Sequence, residues 1–140
     1  MAEQSLLDQV RVLVVDDDET ILNVLRRLLE AHGARVTTAI SAEEALEIFA
    51  SVDPQVLLSD ISMPQMDGYE FIRQVRGRGI RVPAIAVTAF TRAEDRRRAL
   101  FSGYQTHLAK PTSAADLVAV VAALTARRLG ALCEAASQAN

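Results

Sequence analysis

A single cysteine, Cys133, stands in 140 residues, with only two histidines, His32 and His107. An internal disulfide is therefore excluded, and a zinc cluster of thiolates and imidazoles has too few ligands. Any metal bound here should be hard and oxygen-ligated. Long apolar runs are also missing, since none approaches the ~18 residues that cross a bilayer. The start, Met1-Ala2-Glu3-Gln4-Ser5, has no basic segment leading into an apolar one. The expectation is a cytoplasmic protein with no membrane insertion. An excess of one charge is lacking too: 15 Lys and Arg face 18 Asp and Glu, and a net charge of -3 gives no reason to expect a nucleic-acid partner. Beyond an Ala-rich end there is no low-complexity segment, and no internal repeat.

What is present is an ordinary globular composition, 50% apolar and 24% charged, in a length that fits one domain. Five strand-like segments, 11–15, 36–39, 56–60, 84–88 and 106–109, alternate with helical patterns. That alternation argues for right-handed crossovers in one parallel sheet with helices on its faces. After the first strand, Ile21, Leu25, Leu28 and Leu29 form a helical face closed by Gly33. Ser41 with Glu44 makes a capping-box pattern ahead of Ala42, Ala45, Leu46 and Phe49, and Asp53-Pro54 stops that helix. Phe71, Ile72 and Val75 mark a third helix, broken in the Gly77 and Gly79 region. The fourth, 93–102, is mostly charged and has the thinnest apolar stripe, so it is expected to dock least firmly. Ser113 with Asp116 opens the last helix, whose core face is Leu117, Val120, Val121 and Leu124. The organisation is an N-terminal extension over 1–10, a domain over 11–125, and a tail over 126–140. In the tail Leu129, Leu132, Cys133 and Ala136 keep helical spacing around Gly130, so it reads as more helix or as a linker.

Asp60 ends the apolar run Val56-Leu57-Leu58-Ser59 and is followed by Met63-Pro64. A strand buried on both faces carries such a carboxylate to the carboxyl edge of a parallel sheet, where ligands bind. Four strand ends bring polar residues to that rim: Asp16 with Asp17, Asp60, Thr88 and Lys110. Each has a plainer explanation alone. Asp60 suits a turn, residues 16–18 suit a helix cap, Thr88 suits a strand, and Lys110 suits a solvated turn. Together they form a constellation that independent accidents do not explain. Three gathered carboxylates repel one another unless a cation compensates. Mg2+, which binds through one or two carboxylates and phosphate oxygens, fits Asp17 and Asp60 as direct ligands with Asp16 in support, and Lys110 neutralises the remaining charge.

At these residues the chain resembles the receiver domain of two-component response regulators, from Arg11 to about Leu124. The resemblance is carried by Val12-Leu13-Val14-Val15-Asp16-Asp17, by Ser59-Asp60-Ile61-Ser62-Met63-Pro64-Gln65-Met66-Asp67-Gly68, by Val87-Thr88-Ala89 and by Ala109-Lys110-Pro111. It implies a flavodoxin-like (βα)5 fold with strand order 2-1-3-4-5 and helices on both faces. It also implies transfer of a phosphoryl group to Asp60 from the phosphohistidine of a histidine kinase or phosphotransfer protein. The domain would catalyse that transfer and the later hydrolysis itself, without being a conventional enzyme. Asp16, Asp17, Asp60 and the Ser62 carbonyl would hold Mg2+, Thr88 would hydrogen-bond a phosphoryl oxygen, and Lys110 would neutralise charge. A downstream output protein or domain follows from the same resemblance. So does a homodimer option, because the family commonly uses its helix four, strand five and helix five face.

The chain departs from the family pattern three positions before the lysine, where many members carry an aromatic switch and this one carries His107. That residue reads as a partly exposed edge-strand residue or as a signalling and pH-sensing one. Tyr104 does not occupy the matching position. Ser62 and Phe90, beside the phosphate site, are expected to allow an intermediate phosphoryl lifetime at best. Arg92, Arg96, Arg97 and Arg98 read as a solvated helix face or a partner surface. The tail is too short for a DNA-binding output domain, and the 103–111 stretch resembles receivers of hybrid sensor kinases, so a lone shuttle and one part of a larger kinase both stay open. Two other readings compete. A pseudo-receiver would bind partners without phosphorylation, and a haloacid-dehalogenase-like phosphatase would use Asp16 as nucleophile and Asp18 as acid/base.

Overall fold

Strand and helix alternate in the computed structural model, which describes residues 6–89 and 92–138, the stretch 127–138 through its backbone alone. The elements are β1 (Arg11–Val15), α1 (Glu19–Glu30), β2 (Arg35–Ala39), α2 (Ala42–Val52), β3 (Val56–Asp60), α3 (Gly68–Gly77), β4 (Ala84–Thr88), α4 (Ala93–Ser102), β5 (Thr106–Ala109) and α5 (Ala114–Gln138). All five strands pair in parallel, in the order β2-β1-β3-β4-β5. This is the flavodoxin-like order, and its reversal point falls between β1 and β3.

Alternation along the central strands builds two cores, one on each face. Leu13, Val15, Leu57, Ala84 and Ala86 point to the face where α2, α3 and α4 contribute Phe49, Phe71, Ile72, Val75 and Ala99. Val12, Val14, Val56, Leu58, Ile85 and Val87 point to the other face, against Leu22, Leu25 and Leu29 of α1 and Leu117, Val118 and Val121 of α5. Because β3 and β4 are buried at every position, their sequences are continuous apolar runs rather than alternating ones. Each fully buried leucine or isoleucine adds roughly 1.5–3 kcal/mol, so the sheet is a rigid platform for its rim.

Local chemistry fixes the helix ends. Asp18, Ser41 and Asp67 cap α1, α2 and α3 by accepting amide hydrogen bonds, whereas α4 begins at Arg92 with no side-chain cap. At Ser41 the capping box is shifted: the Glu44 carboxylate takes the Ile40 amide, one residue before the expected partner. Asp53 closes α2 in the left-handed region at φ 47°, which Asp tolerates better than most residues.

The structure differs from the sequence expectations in three places. β2 starts at Arg35, whose amide donates to the Val10 carbonyl at 2.8 Å. Leu22 and Val118 lie in the core, while Ile21, Leu28, Val120 and Leu124 only flank it. Leu7, inside the stretch read as an extension, is fully buried, and its amide donates to the His32 carbonyl at 2.9 Å. Of the two readings of the tail, helix or linker, the backbone takes the first: α5 passes Gly130 unbroken to Gln138, since one glycine costs a helix only about 1 kcal/mol. The side chains of Leu129, Leu132, Cys133 and Ala136 lie outside the described ones.

Candidate functional site

Register brings four strand ends to one rim. Val15 pairs with Ser59, Asp60 with Val87, and Thr88 with Ala109, so the residues that follow β1 and β5 flank the ends of β3 and β4. The Lys110 amide donates to the Thr88 carbonyl at 2.9 Å, which fixes where the lysine leaves the sheet. Its bond to Pro111 is cis.

Carboxylates of Asp16, Asp17 and Asp60 gather there, with one oxygen from each within 4.8 Å of the others. Asp16 and Asp60 are buried and Asp17 is exposed. Lys110 Nζ lies 2.9 Å from Asp16 Oδ2 and 3.2 Å from Asp60 Oδ1, bridging the two buried acids. The three adjacent aspartates divide their work: Asp18 caps α1, while Asp16 Oδ1 accepts the Asp18 amide at 2.9 Å and keeps its other oxygen for the lysine. The cap explanation and the site explanation are thus both realised, on different residues.

Electrostatics follow from burial. Desolvation, then repulsion from Asp16, holds the Asp60 carboxyl above its ordinary 3.8, against the pull of Lys110 and of the Ile61 amide. For Lys110, desolvation favours the neutral amine. The hydrogen bond to Asp16 and the charges of Asp60 and Asp16 outweigh it, and its pKa is raised. One ammonium bridges two of the three carboxylates, so the rim keeps excess negative charge. Hard, clustered oxygen donors with uncompensated charge are the donor chemistry of a divalent cation such as Mg2+, and the residues present fit one.

The rim is legible beyond its chemistry. A family model described as the response regulator receiver domain matches residues 12–122. The chain belongs to that family. It is 40% identical over 118 residues to the response regulator MprA of Mycobacterium tuberculosis, covering 84% of this chain but only 51% of that protein. It is 46% identical over 117 residues to an uncharacterized 14.6 kDa protein of Leptolyngbya boryana, covering 82% of this chain and 89% of the relative. Among solved structures, the receiver domain of Francisella response regulator 1452 superposes with a TM-score of 0.80 at 32% identity, over 84% of this chain and 97% of that one. A CheY-like receiver domain from Methanospirillum hungatei gives a TM-score of 0.82 at 27% identity, over 88% and 98%. This receiver thus spans about half the length of MprA.

Within the receiver, Asp16, Asp17, Asp60 and Lys110 are brought together, and buried Thr88 stands on the neighbouring strand end. Ser62 is exposed two residues beyond Asp60. Phe90 lies outside the described residues. His107 is half-buried on edge strand β5, and Arg92, Arg96, Arg97 and Arg98 are exposed on α4. No described helix is long and apolar enough to cross a membrane.

Two residues of this rim carried no chemical signal in the sequence. Gly68 starts α3 so close to β3 that an added Cβ would strike the Asp60 carbonyl oxygen and Ile61. Tyr104, 3% exposed, donates its hydroxyl to the Gly68 carbonyl at 2.7 Å. The Asp67-Gly68 pair at a helix start was the available hint for the first, and nothing local marks the second.

Proposed function

We propose that this receiver accepts a phosphoryl group on Asp60 from the phosphohistidine of a partner kinase or phosphotransfer protein, in a reaction that depends on Mg2+. The observation that carries the reading is the bridge of Lys110 between Asp16 and Asp60, 2.9 and 3.2 Å away, beside a third carboxylate. A structural ion pair needs one acid. Three acids around one lysine hold a negative pocket ready for a cation.

An Asp60 carboxylate oxygen attacks phosphorus, an acyl phosphate O–P bond forms, and the P–N bond to the donor imidazole breaks with its electron pair returning to the ring. Water later attacks the same phosphorus, restoring the carboxylate and releasing inorganic phosphate. The chain's part is positioning and charge neutralisation, which phosphoryl transfer needs more than covalent help. β3 holds Asp60 rigidly at the rim, Lys110 offsets charge on the phosphoryl oxygens, and the Thr88 hydroxyl donates to one of them. Asp16, Asp17, Asp60 and the Ser62 carbonyl would hold Mg2+, which would supply further neutralisation of the transferring group.

A protein donor has a surface to sit on. An apolar groove of about 410 Å³ beside Lys110 is lined by Ile21, Val24 and Leu25 of α1 and by Pro111, and Val24 is 56% exposed. The phosphatase reading gains no support, because Asp18, its required acid/base, spends its carboxylate capping Thr20 and Ile21. The family's output partner and cytoplasmic setting complete the reading.

Intact mass after incubation with acetyl phosphate and MgCl2 tests it. Wild type gains one phosphoryl group, and Asp60→Asn gains none. Asp17→Ala keeps the fold and gains far less adduct at the same MgCl2 concentration. An adduct that survives Asp60→Asn and disappears only in Asp16→Asn sinks the assignment, and no adduct under any condition favours the pseudo-receiver.

A further inference from the structure

Gly103, at φ +130°, turns the chain out of α4, and the amide of Tyr104 then donates back to the Ala99 carbonyl at 3.1 Å. Ala99 is the one buried side chain among those α4 contributes. The phenol of Tyr104 reaches the other way, across 36 residues of sequence, to the carbonyl of Gly68 at 2.7 Å. Gly68 in turn donates its amide to the Ile61 carbonyl at 2.8 Å and lies against the Asp60 backbone with no room for a side chain. Fully buried Ser59 donates to the same Asp60 carbonyl at 2.9 Å.

One hydroxyl is therefore bonded to the helix start packed on the Asp60 carbonyl, while its own backbone is fastened to the end of α4. A buried hydroxyl stripped of its partner is costly, so a shift of the Asp60 backbone or of the α3 start must carry Tyr104 with it. Of the two bodies it joins, α4 yields more easily. It has no side-chain cap at Arg92, and its first turn and outer face are exposed.

We propose that Tyr104 is a positioning residue that couples the backbone around Asp60 to the α4–β5 junction, with its hydroxyl as the coupling atom. Such coupling is reciprocal: whatever moves the α4–β5 junction also biases the geometry at Asp60. Its use in signalling rests on the phosphoacceptor reading, but the coupling itself does not. Nor does it use His107, the position of the family's aromatic switch.

The test compares amide hydrogen exchange over residues 93–108 in wild type, Asp60→Asn, Tyr104→Phe and the double variant. Tyr104→Phe removes one oxygen and keeps the ring, and its thermal unfolding confirms an intact fold. Replacing Asp60 changes exchange over α4 and β5 by about fivefold when Tyr104 is present, the lower end of coupling between sites. In the Tyr104→Phe background it changes nothing. An equal change in both backgrounds overturns the proposal. Arg98→Ala removes a different α4 contact to α3, a guanidinium 4.1 Å from the Tyr69 ring centroid, and leaves both the phenol and the Arg76 hydrogen bonds to the Gly103 carbonyl untouched. The Asp60 effect persists in Arg98→Ala, and its loss there overturns the assignment to Tyr104 by placing the coupling in general packing. Acetyl phosphate with MgCl2 is then applied to the same proteins. A wild type that takes up no phosphoryl group defeats the phosphoacceptor reading, while the four-protein comparison still decides the coupling.

Discussion

Lys110 Nζ lies 2.9 Å from Asp16 Oδ2, joining residues 94 apart in sequence at the centre of the rim. The pair is mostly buried, so loss of the lysine leaves Asp16 and Asp60 desolvated without a counter-charge. Lys110→Met is expected to lower stability by about 2 kcal/mol near neutral pH. The lysine's raised pKa sets the sign of the pH dependence. Its contribution is fully present below the ordinary value of 10.5 and is lost as pH climbs through the raised one. Denaturant melts of both proteins from pH 7 to 11 check this, and a gap that fails to narrow toward pH 11 refutes it.

Asp60→Asn acts in the opposite direction. The Asp60 carboxyl is raised above 3.8, so the folded state binds its proton more tightly than the unfolded state does. Ionising Asp60 therefore works against folding, and wild type loses that stability as pH rises from the ordinary value through the raised one. In metal-free buffer the asparagine variant should be the more stable protein at pH 7, on the order of 1 kcal/mol, the scale typical of relaxing a functional site. Its advantage should vanish below pH 3.8, where both side chains are neutral. Thermal unfolding across pH 3 to 7 with a chelator present reads the difference directly.

Gly68→Ala should damage fold and function together. The added methyl meets backbone, the Asp60 carbonyl oxygen and Ile61 Cα, rather than a side chain that can swing away. Forced overpacking of this kind costs about 1–3 kcal/mol. Because the strain falls on Asp60, the proposed nucleophile, acetyl phosphate labelling should slow beyond what the loss of folded protein explains. Labelling rates normalised to folded fraction by circular dichroism separate the two effects.

The parts legible in the sequence are those that periodicity carries. Apolar runs placed Asp60 and Thr88 at strand ends, and pairing in one parallel sheet then brought them beside Asp16 and Lys110. Other contacts have no local signature. Leu7 looks like a residue of an N-terminal extension, and only the α1–β2 corner, where His32 accepts the Leu7 amide and Gly33 the Gln9 amide, makes it core. Tyr104 reads as an ordinary aromatic after a helix-ending glycine, since its partner Gly68 is 36 residues away and presents a backbone carbonyl. Ile21 and Leu22 show the limit of helical periodicity: adjacent apolar residues differ by 100° around the axis, and which one faces the sheet depends on how α1 is rolled.

Arg92 offers a way to firm up α4 without touching the rim. It already holds the extended conformation of an N-cap, φ -67° and ψ 155°, but supplies no side-chain acceptor to the first turn. Its ion pair to Glu94, at 3.5 Å, is largely exposed and contributes little, while Asp95, 3.9 Å away, is the more buried partner. Arg92→Ser should add a cap worth about 0.5–1 kcal/mol, set against the lost counter-charge to Asp95. If α4 opens locally, as its single buried side chain implies, the gain appears as about threefold slower amide exchange over residues 93–102. Exchange in α1, already capped by Asp18 and anchored by Leu22, Leu25 and Leu29, should not change. Slowing spread equally over both helices would mean that α4 opens only with the whole domain, and the view of α4 as the least anchored element would fail.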